Sequence, residues 1–129
     1  MKENIPDSTY APPTWKHHNN VEYINMDFSK LSSDEMVINF FADTLDLVLQ
    51  RPDKSVRVFA DVKSIKIKPS TMRVLKEYGK KGQPKVKKSV MVGTVGLVSL
   101  LMKVYVNYTG SKMKFFTDYD IAMEYLTSD

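Results

Sequence analysis

The sequence predicts a single-domain α/β fold, with a mostly parallel sheet of four to five strands and helices packed on it. Apolar runs rich in β-formers, 56–61 and 86–92, flank a helical segment. This is the arrangement of a β-α-β unit, and therefore of a parallel sheet. Strand-like and helix-like periods alternate along the rest of the chain. The predicted order is β-α-β-α-β-α-β-α, with residues 1–20 as an extended or disordered N-terminal arm and residues 21–129 as the α/β domain.

The first half of the predicted domain has clear local signals. The arm carries prolines among polar residues and has no sustained period. The first strand, 21–28, alternates its side chains between two faces and consists mainly of β-formers. A capping box from Ser32 to Glu35 predicts the start of the first helix. Phe59 in the second strand is expected to be buried against the first or second helix.

The second half is punctuated by proline and glycine. Pro69 suits the first turn of the second helix, and Gly79 and Gly82 are expected to end it in left-handed conformations. A turn at 93–96 follows the third strand and leads into a helix whose apolar residues repeat until Gly110. A fourth strand at 112–116 and a fourth helix after it complete the predicted domain.

Composition excludes several classes of site. The chain is 43% hydrophobic and 26% charged, and it has no cysteine, which excludes disulfides, thiolate catalysis and sulfur-ligated zinc. It has no apolar run near the roughly 20 residues of a membrane span and no signal-peptide pattern near Met1, so a cytoplasmic location is expected. The two histidines, His17 and His18, both lie in the arm, away from any serine of the domain. We therefore expect no catalytic residue, no metal site and no cofactor.

Positive charge is concentrated in one part of the chain. Ten lysine and arginine residues stand against a single glutamate between Lys63 and Lys88, although the whole chain has a net charge of only +4. Such a block favours an acidic protein partner, or it is a solubilising surface. Aromatic residues are not interleaved with its segment 80–88, which argues against sequence-specific nucleic-acid binding. The residues of the predicted basic ridge are Lys76, Lys80, Lys81, Lys87 and Lys88.

Two further features suggest binding. If helices cover both faces of the sheet, the strands are expected in the order 2-1-3-4, with a reversal that creates a crevice near Asp27 and Gly93. Together with Thr94 and Gly96, these residues form a candidate anion- or ligand-binding turn, although close packing of a helix on a strand also explains the glycines. The third helix is apolar on nearly all sides, including Val98, Met102 and Val106. Its surplus apolar surface predicts a bound apolar ligand or a homodimer, formed through this helix or through the N-terminal arm.

Four stretches together resemble a known family: residues 25–31, the strand 56–61, residues 87–97 and the closing residues 115–126. Their pattern and order are similar to the bacterial STAS/Sec14-type domains, also called sporulation anti-sigma-antagonist-like. The resemblance covers roughly residues 21–126 and implies a STAS-like α/β domain that docks on a partner. Regulatory members of this family are switched by phosphorylation of a Ser or Thr at the start of the second helix.

The resemblance identifies candidate phosphorylation sites at the same junction. Ser70 and Thr71 fall on the hydroxyl positions of the regulatory members, whereas Pro69 replaces the acid and Met72 replaces the glycine of their Asp-Ser-Ser-Gly pattern. Plain capping or solvation of the first helical turn is the alternative role for both hydroxyls.

The sequence therefore predicts a non-enzymatic regulatory or protein-interaction domain of the anti-sigma-antagonist type, switched by Ser/Thr phosphorylation. The alternative is a carrier of a small apolar ligand or lipid, by analogy with the Sec14 side of the resemblance. An apolar pocket with a few convergent polar groups favours the carrier, whereas a solid core with an exposed apolar patch favours the docking domain.

Overall fold

A computed structural model describes residues 11–63, 65–94 and 96–129, with only the backbone described at Leu97. The described chain forms one five-stranded sheet and four α-helices, which confirms the predicted α/β class. The elements in chain order are β1 (Thr14–His18), β2 (Val21–Asp27), α1 (Asp34–Val48), β3 (Val56–Asp61), α2 (Pro69–Gly82), a 3-10 turn (Gln83–Lys85), β4 (Val86–Val92), α3 (Gly96–Thr109), β5 (Lys114–Phe116) and α4 (Tyr119–Thr127).

The strands lie side by side in the order β1-β2-β3-β4-β5. β1 is antiparallel to β2, and every later pair is parallel. The predicted order 2-1-3-4 is therefore wrong, because the four predicted strands follow one another without a reversal. Successive right-handed crossovers in one direction place all their helices on one face of a sheet. The opposite face is covered by α4, which follows the last strand and is not a crossover, so no reversal is needed.

The N-terminal part of the sheet begins before the predicted domain boundary. Thr14 pairs with Asn25 and His18 with Val21, so a strand occupies the end of the predicted arm and residues 1–10 lie outside the described residues. Asn19 and Asn20 have φ values of 52° and 65°, as a two-residue hairpin turn with positive φ at both positions requires. The Asn-Asn pair was the local signal that this hairpin left in the sequence.

The sheet separates two apolar layers. On one face, α1, α2 and α3 pack over alternate residues of the central strands, such as Val58 and Met91. On the other face, α4 packs through Ala122 and Leu126. Phe59 is buried as predicted, with 2% of its surface exposed, but it packs in the α4 layer. The expectation that it packs against the first or second helix is wrong, because its neighbours Val58 and Ala60 are the residues that point toward those helices.

Several helix ends differ from their predicted positions. The N-cap of α1 is Ser33, whose side chain accepts from the Met36 amide, and not Ser32. α2 continues through Gly79 to Gly82, where φ is −84°, so neither glycine is a left-handed stop. Gly110 does follow α3 with a φ of 74°. No helix in the described ranges is long and apolar enough to cross a membrane.

Candidate functional site: an apolar cavity beneath three helices

A cavity of about 80 Å³ lies between the sheet and the helices α1, α2 and α3. Most of its lining is aliphatic, aromatic or thioether, including Met26, Met91 and Met102 from three different elements. None of the described residues that line it is charged. Methionine side chains are flexible and adapt to the shape of a neighbouring group. The cavity is therefore an uncharged apolar space with adaptable walls.

Five residues of this lining bear a hydroxyl, and their hydrogen bonds differ. Thr44 donates to the Phe40 carbonyl at 2.8 Å, and Ser111 accepts from the Met113 amide at 3.1 Å. Within the described part of the chain, the side-chain hydroxyls of Ser89, Tyr105 and Tyr78 have no hydrogen-bond partner. Burial raises the pKa of Tyr105 to about 12, so its phenol keeps its proton even in alkaline solution. These three hydroxyls are thus available to a molecule in the cavity.

The position of Tyr105 depends on a glycine in the facing helix. A Cβ atom on Gly79 would lie 2.5 Å from Cζ of the Tyr105 ring, well inside van der Waals contact. The ring of Tyr105 also packs edge-on against Phe41, with centroids 6.1 Å apart. Gly79 therefore allows α3 to approach α2 closely enough for the phenol to reach the cavity.

The predicted phosphorylation sites have different environments. Thr71 is buried, and its hydroxyl donates to the Asp34 carboxylate at the start of α1. The same carboxylate accepts from the Lys68 amide at 3.0 Å. These hydrogen bonds lower the pKa of Asp34, the Thr71 hydroxyl contributing most. Ser70 is exposed, so it is the accessible hydroxyl of the pair, while Thr71 joins two helix starts.

The predicted ligand turn is not assembled as a single site. β3 lies between β2 and β4, so the neighbour of Asp27 in the sheet is Asp61, and Gly93 lies a further strand away. The two carboxylates each accept a backbone amide two residues later, from Ser29 and Lys63 respectively. The pKa of Asp61 is raised, first by burial and then by the charge of Asp27.

The glycines of that turn have a packing explanation. Gly93 has a φ of 96°, and a Cβ there would lie 2.9 Å from the Lys63 backbone nitrogen. Gly96, where α3 begins, has a φ of 56°. Thr94, between them, is partly exposed. The strand order also removes the predicted reversal crevice, so nothing in these contacts favours an anion site.

The predicted basic ridge is divided between two faces of the molecule. On α2, the amines of Lys76 and Lys80 lie 4.6 and 4.7 Å from the ring centre of Tyr108 in α3. Lys81 is exposed on the same helix. On β4, Lys87 and Lys88 instead contact the C-terminal residues after α4. Lys88 donates to the Ser128 carbonyl at 2.8 Å, and the Lys87 amine lies 3.8 Å from the Asp129 carboxylate.

The outer surface of α3 carries apolar side chains beside the exposed Lys103 and Asn107, and its exposed apolar residues are not those predicted to form a dimer. Met102 is buried in the core, while Val98 and Val106 are partly buried. Leu100 and Val104 are 60% and 49% exposed. They are one helical turn apart and therefore share a face.

Sequence reasoning missed the residues that matter most for the cavity. Ser89 directly precedes the apolar end of β4, which begins at Val90. The only feature of the sequence that pointed to Ser89 was a polar residue at a buried strand position. Tyr105 belongs to the apolar repeat of α3 and carries no separate signal. Arg57, which is buried and donates to the Leu126 carbonyl at 2.7 Å, was also hidden inside a strand pattern.

No protein-family model and no curated protein matches this sequence. Among solved structures, it is similar to the crystal structure of an uncharacterized protein of the DUF3478 family from Shewanella loihica PV-4, which is described as having a SpoIIAA-like fold. The two chains share 15% sequence identity with a TM-score of 0.59, and the match covers 98% of each. The fold is SpoIIAA-like. The STAS-like fold expected from the resemblance is thereby confirmed.

Proposed function

We propose that this SpoIIAA-like protein is a non-enzymatic binding domain that takes a small apolar ligand between its sheet and α1–α3. The observation that carries the proposal is the uncharged cavity, whose lining includes hydroxyls without hydrogen-bond partners in the described chain. A pocket of this kind is the feature that favours the ligand-carrier alternative over the docking domain. Its described lining contains no carboxylate, histidine or amine, and so offers no acid–base pair for catalysis.

The size of the cavity limits the ligand. Its volume of about 80 Å³ is smaller than the roughly 150 Å³ of an engineered apolar cavity that binds benzene. It is also far below the about 300–1,000 Å³ of pockets that bury drug-sized ligands. The ligand is therefore no larger than one small ring, and a ring of that size requires adjustments of the methionine side chains. The class of proposed ligands is thereby limited to small apolar molecules and does not include lipids in general.

Benzene is a suitable first probe. We expect a titration followed by amide NMR to shift signals of β3, β4 and α3, and the unfolding temperature to rise with the benzene concentration. Ala60→Leu fills the cavity from β3 and should abolish these changes, whereas Ala42→Leu on α1, outside the lining, should leave them intact. Shifts that are scattered over the surface, or that persist in Ala60→Leu, would contradict the proposal.

Docking on an acidic protein partner is the second candidate function. The α2 surface, defined here as Lys76, Lys80 and Lys81 with Tyr108 beside them, favours it because these side chains form a basic and aromatic surface. Ser70 is exposed on the same helix. Phosphorylation of Ser70 would add negative charge near this surface and weaken its attraction to an acidic partner.

A further inference from the structure

Two of the cavity's hydroxyls, those of Ser89 and Tyr105, enter from different walls and have no hydrogen bond within the described chain. Ser89 is only 6% exposed and projects from β4 on the side of Met91, toward α1–α3. The Tyr105 hydroxyl enters from α3, next to Gly79. No other described residue donates to or accepts from either hydroxyl. A buried polar group without a partner is costly, and buried hydroxyls are nearly always satisfied.

We propose that Ser89 and Tyr105 bind the polar atom of the ligand, so that the cavity takes a small neutral molecule with an apolar body and one carbonyl or hydroxyl oxygen. This inference rests on the proposed ligand-binding function and names the ligand class. Both hydroxyls can donate to such an oxygen, and they reach the cavity from opposite walls, the sheet and α3. The apolar body would then lie against the methionine and aliphatic side chains.

The requirement for a neutral ligand follows from the lining. A carboxylate in this space would lose its hydration without gaining a cationic partner among the described lining residues. Thr44 already donates its hydroxyl proton to the Phe40 carbonyl, whereas Ser111 accepts from the Met113 amide and can still donate its own proton. Tyr78 lines the cavity from α2 and, like Tyr105, is partly exposed, and its hydroxyl also has no partner in the described chain. Ser89 is the most buried of the residues whose hydroxyls have no partner there.

Three matched probes test the inference on the full chain: cyclopentanone, cyclopentane and cyclopentanecarboxylate, each titrated by amide NMR. We expect cyclopentanone to bind about tenfold more tightly than cyclopentane, and the carboxylate not to bind. Ser89→Ala and Tyr105→Phe should each reduce the preference for the ketone to within about twofold and leave the cyclopentane affinity unchanged. Thr127→Val is the control, since it removes a helix hydroxyl that likewise donates to the carbonyl four residues earlier but lies outside the lining, and it should keep the preference.

The outcomes separate this inference from the proposed function. If wild type and variants bind ketone and hydrocarbon equally, the two hydroxyls hold a buried water only, and the inference fails while the binding function stands. If the carboxylate binds as well as the ketone, the neutral-ligand requirement is wrong. If neither ring compound binds, both proposals fail. The two single variants test the hydroxyls independently, and their amide spectra show directly whether each retains the wild-type fold.

Discussion

The Thr71 hydroxyl donates to the Asp34 carboxylate and so joins the start of α2 to the start of α1. Asp34 also accepts the backbone amide of Lys68, the N-cap of α2. The Lys68 side chain makes no capping hydrogen bond of its own. The Asp34 carboxylate, from the neighbouring helix α1, therefore takes the place of a side-chain cap within α2. It also fixes the starts of these two crossover helices relative to each other.

Removing the Thr71 hydroxyl should destabilise the fold. Thr71→Val leaves Asp34 without its strongest hydrogen bond, and we expect a loss of about 1–2 kcal/mol in urea unfolding. The pKa of Asp34 is lowered in the folded state, so its stabilising contribution is complete above the unfolded value and disappears as pH falls from about 4. The stability difference between wild type and Asp34→Asn should therefore shrink on acidification. Ser70→Ala is the control and should have little effect.

Negative charge at the two neighbouring hydroxyls should act in opposite ways. Ser70→Glu places a carboxylate in the exposed first turn of α2, where the helix dipole favours it, and should leave stability equal or slightly increased. Thr71→Glu forces a second carboxylate into a buried position beside Asp34 and should destabilise by more than Thr71→Val. Thermal unfolding of Ser70→Glu and Thr71→Glu, each compared with the wild type, measures this difference in stability. If Thr71→Glu were as stable as Ser70→Glu, Thr71 would be an equally suitable phosphorylation site.

The sequence predicted those features of the fold that depend on local pattern. β3 and β4 lie where their apolar runs predict, and α2 begins at Pro69. Alternation along β3 shows that Phe59 and Val58 point to opposite faces, but it does not tell which helix covers each face. The strand order likewise depends on how the last helix folds back. The Asn19-Asn20 hairpin was readable and was missed, because prolines dominated the preceding residues.

The candidate site was less predictable than the fold. Ser89 and Tyr105, on β4 and α3, line one cavity only because of the tertiary fold, and the Asp34–Thr71 contact joins residues 37 positions apart. The density of charge along the chain suggested a single ridge, because it takes no account of the face on which each lysine lies. In the structure, Lys88 points from β4 toward the end of α4, away from Lys80.

Gly79→Ala should be destabilising, although the same change in an open helix interior stabilises by about 1 kcal/mol. The new methyl group would overlap the Tyr105 ring, so α3 must shift, at a cost of about 1–3 kcal/mol. Gly82→Ala is the matched control, because its methyl would meet only the flexible tip of Leu45 at 3.3 Å. In the double variant Gly79→Ala/Tyr105→Ala the clash is absent, and urea titrations should show the two losses to be less than additive.

The exposed face of α3 predicts a homodimer. Among the described side chains of α3, Leu100 and Val104 are the large apolar ones that are exposed, and burying them against a second copy would remove apolar surface from water. Sedimentation at high micromolar concentration should show dimers of the wild type and monomers of Leu100→Lys/Val104→Lys. Lys103→Ala, at an exposed charged position between them, should remain dimeric. A wild type that stays monomeric would show that this face is simply exposed.

The α2 surface should bind acidic chains, and the neighbouring β4 lysines should not contribute. Lys76 and Lys80 lie around Tyr108, whereas Lys88 already donates to the carbonyls of Tyr125 and Ser128. With a fluorescent oligoglutamate peptide, we expect Lys76→Gln/Lys80→Gln to weaken binding by about tenfold at low salt, and Lys87→Gln to change it by less than about twofold. The difference should diminish with added salt, because exposed charges are screened within about 10 Å at ordinary ionic strength. Equal affinities for both variants would mean that the α2 lysines only keep the domain soluble.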